Sequence, residues 1–474
     1  MNKYTRLGKN SALILIGSAG SKMLSVLMLP FYTAWLSVEK YGDIDLINTY
    51  VSLIMGVVTL CMTDAIFRFP QGKDISEQRK FFSSGLAVVA GSVACFGVVY
   101  YLLLTFVNCT TWGVFYSYSR YIFIFVIFNF LQLYLQQFCR SIDRVSVFVV
   151  SGLMVTVVTV ITAIILVPKY GVNGFLLAQL SGQICASLYT LISINVFKYL
   201  SYKAISRSII KSMLAYSVPM IPNATLWWIL GTSNRLFLEY YHGTDAVGIF
   251  AVANKFPSII TMIANIFFLS WQISVLEEYE KKDFRQFYNR ILKLCFVGMI
   301  GVSIILSISS YGLIKIFADK SYIEAWTYVP LLGLASVFSA LSTFAGTMFM
   351  ATKKTRYFLT TSIWGSMLCL LLNFILIRPY GIMGATVSML VAHFAILCLR
   401  IKKSDKFVTL DNKTNYILQI AIALCISVSV TEIALMPIKI GVTLSALIIF
   451  FILNYHSLKA TSNMIVQTLR KRTI

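Results

Sequence analysis

SALILIGSAGSKMLSVLMLPFYTAWL, residues 11–36, decides the fold. It is long enough to cross a bilayer, which takes about 20 apolar residues. Lys22 stands near its middle, among Gly17, Ser18, Gly20 and Ser21. A cation at that depth is expensive and faces a partner or a wet cavity, and small residues let backbones come close. Lys3, Arg6 and Lys9 precede the stretch. The stretch is too long for a cleaved signal, and no cleavage site follows a short apolar core. The expectation is a membrane protein with its N-terminus inside and a polar interior that prefers anions.

The rest of the chain extends that reading. Of its 474 residues 58% are hydrophobic and 12% charged, with mean hydropathy +0.79; a soluble domain carries about twice that charged fraction. An all-α polytopic membrane protein is expected. Apolar runs place about fourteen spans, at 11–36, 44–64, 82–106, 115–138, 145–168, 173–196, 214–238, 247–276, 292–317, 325–351, 357–377, 382–399, 415–436 and 438–457. With the N-terminus inside, 30 of the 40 Lys and Arg fall in inside connections. Seven (Lys40, Arg120, Lys169, Lys315, Lys320, Arg378 and Lys439) fall outside, and Lys22, Arg235 and Lys255 fall within spans. This asymmetry is the positive-inside pattern. It accounts for the net charge of +22 without a nucleic-acid partner and places both termini in the cytoplasm. Two longer inside stretches, 198–214 and 276–293, read as amphipathic helices at the anionic leaflet. The nine cysteines lie mostly in apolar runs and show no metal spacing, so packing explains them.

The chain contains a repeat. LVPKYGVNG (166–174) matches LIRPYGIMG (376–384), both at outside turns where Gly makes a tight reversal. YGDIDLINTY (41–50) aligns with VGIFAVANKF (247–256), setting Gly42 against Gly248 and Asn48 against Asn254, and CRSIDRVSVF (139–148) resembles MATKKTRYFL (350–359). A shift of six spans preserves orientation. The halves are therefore expected to be parallel six-helix repeats about an axis along the membrane normal, with a V-shaped central cavity between them. The expected lobes are 1–200 and 201–405, with 406–474 holding two extra helices and a basic tail.

This architecture and the YG turns resemble the multidrug/oligosaccharidyl-lipid/polysaccharide exporter superfamily. The opening, RLGKNSALILIGSAGSKMLSVLMLPFYTAWLSVEKYGDIDLINTYVSL followed by DAIFRF, is similar to that of Wzx-type polysaccharide flippases. The resemblance implies a flippase in a bacterial cytoplasmic membrane. It would move undecaprenyl-diphosphate-linked oligosaccharide units to the outer leaflet for O-antigen, capsule or exopolysaccharide assembly. Its implied partners are that glycolipid, membrane lipids, and a polysaccharide polymerase with chain-length machinery; no cofactor is expected. The resembled lipid II flippases use cavity arginines on helices 1 and 8, and Lys22 and Lys255 occupy comparable places as lysines, which offer point-charge attraction.

Candidate site residues follow from depth and charge. A diphosphate crossing a low-dielectric slab needs cations that offset its lost hydration. Lys22, Arg235 and Lys255 suit that role; the alternative is a structural partner for Lys22, whose side chain cannot snorkel that far, and outward snorkelling for Arg235. Arg68 stands four residues after Asp64 at the inner end of span 2, so the two read as an ion pair on one helix face, either structural or gating the cavity mouth. Arg140 and Arg144 share that spacing after span 4, where topology alone also explains them. Asn48 and Asn254 suit either sugar hydroxyls or interhelical bonding, as do Gln132, Gln136 and Gln137. Asp45, near the outer end of span 2, suits gating or ion coupling. His393 reads as a packed helix-to-helix hydrogen-bonder.

Two rival functions are disfavoured by the same residues. A cation-coupled drug exporter of this fold wants intramembrane carboxylates, whereas this chain places cations there. A membrane glycosyltransferase or polymerase needs catalytic groups in a sizeable outside loop; the longest outside loop, NCTTWGVFYSYSR, has no carboxylate. No P-loop or catalytic cluster is present in the sequence, so enzyme activity is not expected.

Overall fold

Two pairs of glycines set the outline of the chain. The computed structural model describes residues 17, 20–21, 23–106, 113–354, 356–411, 413–432, 438 and 440–454, nearly all of them helical. Two helices, Val145–Ser193 and Arg356–Ser404, each run 49 residues, or roughly 74 Å if straight, more than twice the hydrocarbon thickness of a bilayer. Neither is straight. Gly171 has φ 56°, ψ −126° and Gly381 has φ 53°, ψ −127°, a conformation open in practice only to glycine. Three residues on, a Cβ at Gly174 would lie 2.2 Å from the Leu166 carbonyl oxygen, and one at Gly384 would lie 2.2 Å from that of Leu376. Each helix therefore folds back on itself as an antiparallel hairpin at the YG turn expected from the repeat.

In chain order the helices are α1 Leu29–Trp35, α2 Val38–Val58, α3 Met62–Arg68, α4 Ile75–Phe106, α5 Gly113–Ser117, α6 Ser119–Ser141, α7 Val145–Ser193, α8 Arg207–Ser217, α9 Ile221–Thr232 and α10 Asn234–Ala253. They continue with α11 Pro257–Glu278, α12 Phe284–Phe317, α13 Val329–Ala351, α14 Arg356–Ser404, α15 Lys413–Glu432 and α16 Ile440–Asn454. Seven of the described helices are long and apolar enough to span a membrane, or nine if two bent pairs each count as one. The first bent pair is α2 with α3, 59° apart across Leu60 and Cys61, both at positive φ. The second bends 45° just before Pro257, where proline removes a helical N–H.

The chain forms two compact units, Met1–Ala251 and Val252–Ile474. In the first, Phe82, Tyr134 and Phe138 centre a fully buried cluster shared by α3, α4, α6 and α8. The Tyr134 hydroxyl donates to the Phe82 carbonyl at 2.8 Å, so an aromatic ring is buried with its polar tip satisfied. In the second, Trp271 on α11 stacks on Phe344 of α13 (4.6 Å between centroids, 12° between planes) and donates to Thr347 Oγ1 at 3.2 Å. Such a pair contributes about 1 kcal/mol beyond its burial.

Two local expectations are corrected. Residues 284–293 are not a separate surface helix but the first turns of α12, which runs on unbroken for 34 residues. The other stretch is helical only from Arg207, preceded by two short 3-10 turns. Arg400, counted with the inside connections, lies within α14 and is fully buried.

Candidate functional site

The described candidate residues that meet most closely are on α2 and α10. Helix α10 reverses at Gly243 (φ 79°), so its first arm carries Arg235 and Glu239 and its second carries Gly248. Arg235 Nε donates to Asp45 Oδ2 of α2, an ion pair in which the Arg235 side chain is 10% exposed and that of Asp45 23%. Arg235 also donates from Nη1 to the Gly231 carbonyl (3.1 Å) and to Asn234 Oδ1 (3.4 Å), and its guanidinium lies 5.2 Å from the centre of the Phe250 ring. One turn further along α10, Glu239 accepts a hydrogen bond from the Tyr50 hydroxyl of α2. Trp228 of α9 adds a third tie, donating from Nε1 to Ser52 Oγ at 3.0 Å.

Backbone contact makes this clasp close. A Cβ at Gly42 would lie 2.0 Å from the Thr244 carbonyl oxygen, and a Cβ at Gly248 would lie 2.1 Å from that of Val38. Only glycine lets the two backbones approach so far. Chemically the arrangement is a clasp with limited access to water, in which Arg235 and Asp45 each hold the other and a second carboxylate, Glu239, is held by the Tyr50 hydroxyl. The guanidinium fork that Asp45 occupies has the geometry that suits a carboxylate or a phosphate.

The other candidates lie elsewhere. Lys22 falls outside the described residues. Lys255 sits in the break before α11, half-buried, with its backbone N–H on the Val252 carbonyl and its own carbonyl accepting from Ser258 Oγ. Asn254, beside it, accepts at its carbonyl from the Ser258 N–H. Asn48 Nδ2 donates back to the Ile44 carbonyl of its own helix at 3.0 Å.

The expected Asp64–Arg68 pair does not form. Among the described residues neither is in an ion pair, and Arg68 lies over the Tyr216 ring at 4.8 Å. Both residues lie on α3, but α8, packed against it, offers Arg68 the aromatic face of Tyr216 in place of Asp64. Arg140 is likewise held by its surroundings: it lies 4.3 Å from the Phe67 ring centre and 5.2 Å from that of Phe148, and it donates to Gln137 Oε1. Arg144 caps the start of α7, its N–H on the Cys139 carbonyl. Gln132 and Gln136 bond to each other, and Gln136 reaches the Phe148 carbonyl, so they tie α6 to α7. His393 Nδ1 lies 2.9 Å from the Met389 carbonyl within α14.

Two features escaped the sequence. The Asp45–Arg235 partnership joins positions 190 residues apart, and no local spacing points to it. Arg400 is held by Thr361 Oγ1 (3.2 Å), Ser362 Oγ (3.0 Å) and the Ser342 carbonyl (3.0 Å), over the Phe358 ring at 4.1 Å. The run of small polar residues at 361–362 was the available signal. Among the described residues no group of His, Cys, Asp and Glu could hold a metal ion.

Long apolar helices, glycine-reversed hairpins and a buried ion pair within them define a multi-pass helical membrane protein. Its fold is that of known transporters. The structure matches a lipid II flippase, MurJ in an inward closed conformation, with TM-score 0.71 and 16% identity, covering 95% of this chain and 99% of that one. It also matches an inward-facing multidrug resistance transporter of the MATE family in the MOP superfamily, with TM-score 0.63 and 14% identity over 83% and 98%. In sequence it is similar to Lsg locus protein 1 of Haemophilus influenzae, 22% identical over 273 residues, which are 54% of this chain and 62% of that protein. The chain thus spans about three-fifths of the curated relative's length. Residues 7–271 match the family described as polysaccharide biosynthesis protein, and the chain belongs to that family.

Proposed function

We propose that this protein is a flippase that carries polyprenyl-diphosphate-linked oligosaccharide from the inner to the outer leaflet of a bacterial cytoplasmic membrane. The observation that carries the reading is the conjunction of a polysaccharide-biosynthesis family match with a fold shared by a lipid flippase over 95% of the chain. The reading assigns fourteen spans, with each of the three glycine reversals joining two of them, and cytoplasmic termini as the charge asymmetry requires.

The diphosphate is met by basic side chains within or at the mouths of the spans, for which Lys22, Arg68, Arg235 and Lys255 are the proposed contacts. Asn48 and Asn254 are proposed for the glycan, and Asp64, Arg140 and Arg144 for the inner mouth. The α2–α10 clasp supplies the coupling. While Asp45 holds Arg235, the two helices are drawn together at what the charge pattern makes the outer end. A diphosphate that takes Arg235 from Asp45 weakens the clasp, so loading favours outward opening. A ligand shifts such an equilibrium only by its differential affinity for the two states, and competition for one guanidinium provides that difference.

The test is a deletion strain from which polyprenyl lipids and surface glycan are followed together. Accumulation of complete lipid-linked repeat units with loss of surface glycan is expected, and their mass names the cargo. Normal lipid-linked pools with raised sensitivity to cationic drugs would refute the reading in favour of drug export.

A further inference from the structure

The hairpin tip of α7 and the start of α2 enclose a cleft of about 450 Å³ within the first unit. Lys40 stands on one side, in the first turn of α2, and Lys169 on the other, just before the Gly171 reversal. Between them lie the rings of Trp35, Tyr118 and Tyr170 and the amide of Asn173. Both lysines are exposed, and among the described residues neither is in an ion pair within 4 Å; the Asp43 carboxylate on the same end of α2 still attracts Lys40, and with Glu39 it acts on Tyr118 at the cleft wall.

The charge pattern makes this cleft unusual. On the assigned orientation the outer face keeps seven Lys and Arg, against 29 in the inside connections once Arg400 is placed within α14. Two of those seven line this one cleft, and a third, Arg120, follows Tyr118 by two residues. Lys40 and Lys169, on separate elements of the cleft wall, offer an anionic ligand two ammonium groups that are in no ion pair among the described residues. The 21-residue helix α2 begins at the cleft and adds the positive end of its dipole. Three aromatic rings and an amide suit the apolar faces and hydroxyls of sugars, which inorganic anions lack.

We infer that this cleft is a receiving site at the outer leaflet for the sugar-phosphate head of a glycolipid. It rests on the flippase reading. The lysines hold the phosphate, Tyr170 and Trp35 stack on the adjoining sugar, and Asn173 bonds its hydroxyls. Bound there, the head group is kept from returning through the protein.

The test uses the full chain in nanodiscs, with UDP-N-acetylglucosamine as a water-soluble sugar-diphosphate probe and inorganic pyrophosphate as the anion alone, read by calorimetry. Lys40→Gln with Lys169→Gln is expected to weaken both probes about tenfold or more, the loss of two charge-assisted contacts. Tyr170→Ala is expected to weaken the sugar probe and leave pyrophosphate unchanged. The inference is overturned if the double lysine variant binds the sugar probe as the unaltered chain does. It is equally overturned if pyrophosphate or phosphatidylglycerol vesicles match the sugar probe, which would mark a phospholipid-headgroup site. Lipid extracts of the deletion strain keep the two readings apart. If lipid-linked units accumulate there but the double variant binds normally, only the receiving site falls; if none accumulate, the flippase reading falls as well.

Discussion

Breaking the clasp on one side should cost more than removing it altogether. Arg235 is 10% exposed and Asp45 23%, so each charge depends on the other for most of its solvation. Deleting one member of a buried pair strands the other and costs about 3–5 kcal/mol, whereas replacing both by apolar residues of similar volume is often near neutral. The residual exposure of Asp45, and the Gly231 and Asn234 oxygens left to Arg235, lower the single-site cost here to about 2 kcal/mol. That is roughly a thirtyfold change in the folded-to-unfolded ratio. Asp45→Leu and Arg235→Met should therefore each destabilise by about 2 kcal/mol, and the double variant by about 1 rather than 4, a coupling of about 3 kcal/mol. The assay is titration of the purified chain from mild into denaturing detergent, followed by tryptophan fluorescence. Single-site effects that add within about 0.5 kcal/mol would refute the reasoning. The double variant also separates stability from transport: it should fold, yet export glycan poorly in the deletion strain, because no carboxylate remains for the cargo to displace.

Four further outcomes are expected. Gly42→Ala sets a Cβ 2.0 Å from the Thr244 oxygen and should cost about 1–3 kcal/mol by overpacking, while Gly56→Ala, with open space around it, should be within about 1 kcal/mol of neutral in the same titration. Gly171→Ala meets nothing within 4 Å, so its cost is backbone strain alone, about 1–3 kcal/mol, and Gly381→Ala, at nearly the same φ and ψ, should carry a similar strain. Arg400→Lys should destabilise by about 2 kcal/mol, since one ammonium cannot span the acceptors that the guanidinium fork reaches. Asp405, in the connection after α14, has its carboxyl pulled below the usual range, first by the Lys413 ammonium (2.6 Å) and then by the Leu410 N–H (3.0 Å). A depressed value in the folded state means that this tie is complete above about pH 4, the unfolded carboxyl's range, and is lost as the pH falls below it. Hydrogen exchange at the Leu410 amide should accelerate there.

What could be read from sequence divides by distance along the chain. The YG reversals were legible because the requirement is local: a turn at positive φ needs glycine, and both copies carry it. Arg235 was singled out from its depth in an apolar stretch, and the structure buries it. Pairings across the fold were not legible. The rule of four linked Asp64 to Arg68, and one helix does hold both, but the rule counts only the helix itself, and the packed neighbour α8 brings the Tyr216 ring under the Arg68 guanidinium. Asp45 and Arg235, singled out separately for coupling and for cargo, turned out to be each other's partners. Arg400 was missed because a basic residue at the expected end of a span reads as topology signal, and the hydroxyls that bury it lie on another arm of its hairpin.

The clasp combines two kinds of contact that behave differently under the repeat. Gly42 meets Thr244 and Gly248 meets Val38. Val38 precedes Gly42 by four residues and Thr244 precedes Gly248 by four, so shifting either contact by the 206 residues that separate the repeated segments yields the other. The backbone crossing is thus reciprocal. The side chains are not: by the same shift Asp45 and Arg235 correspond to Ala251 and Leu29, and the Tyr50 hydroxyl donor to Phe256, so neither bond has a counterpart. A reciprocal crossing by itself gives two helices a place to meet and no preference for when they part. Under the proposed function, charge on one side only is what makes the meeting sensitive to an anion: Arg235 has a partner that cargo would replace, whereas a Gly-to-carbonyl contact offers cargo nothing to compete for. The asymmetry is therefore where transport specificity is expected to reside, and the reciprocal glycines are what brings Asp45 within reach of Arg235.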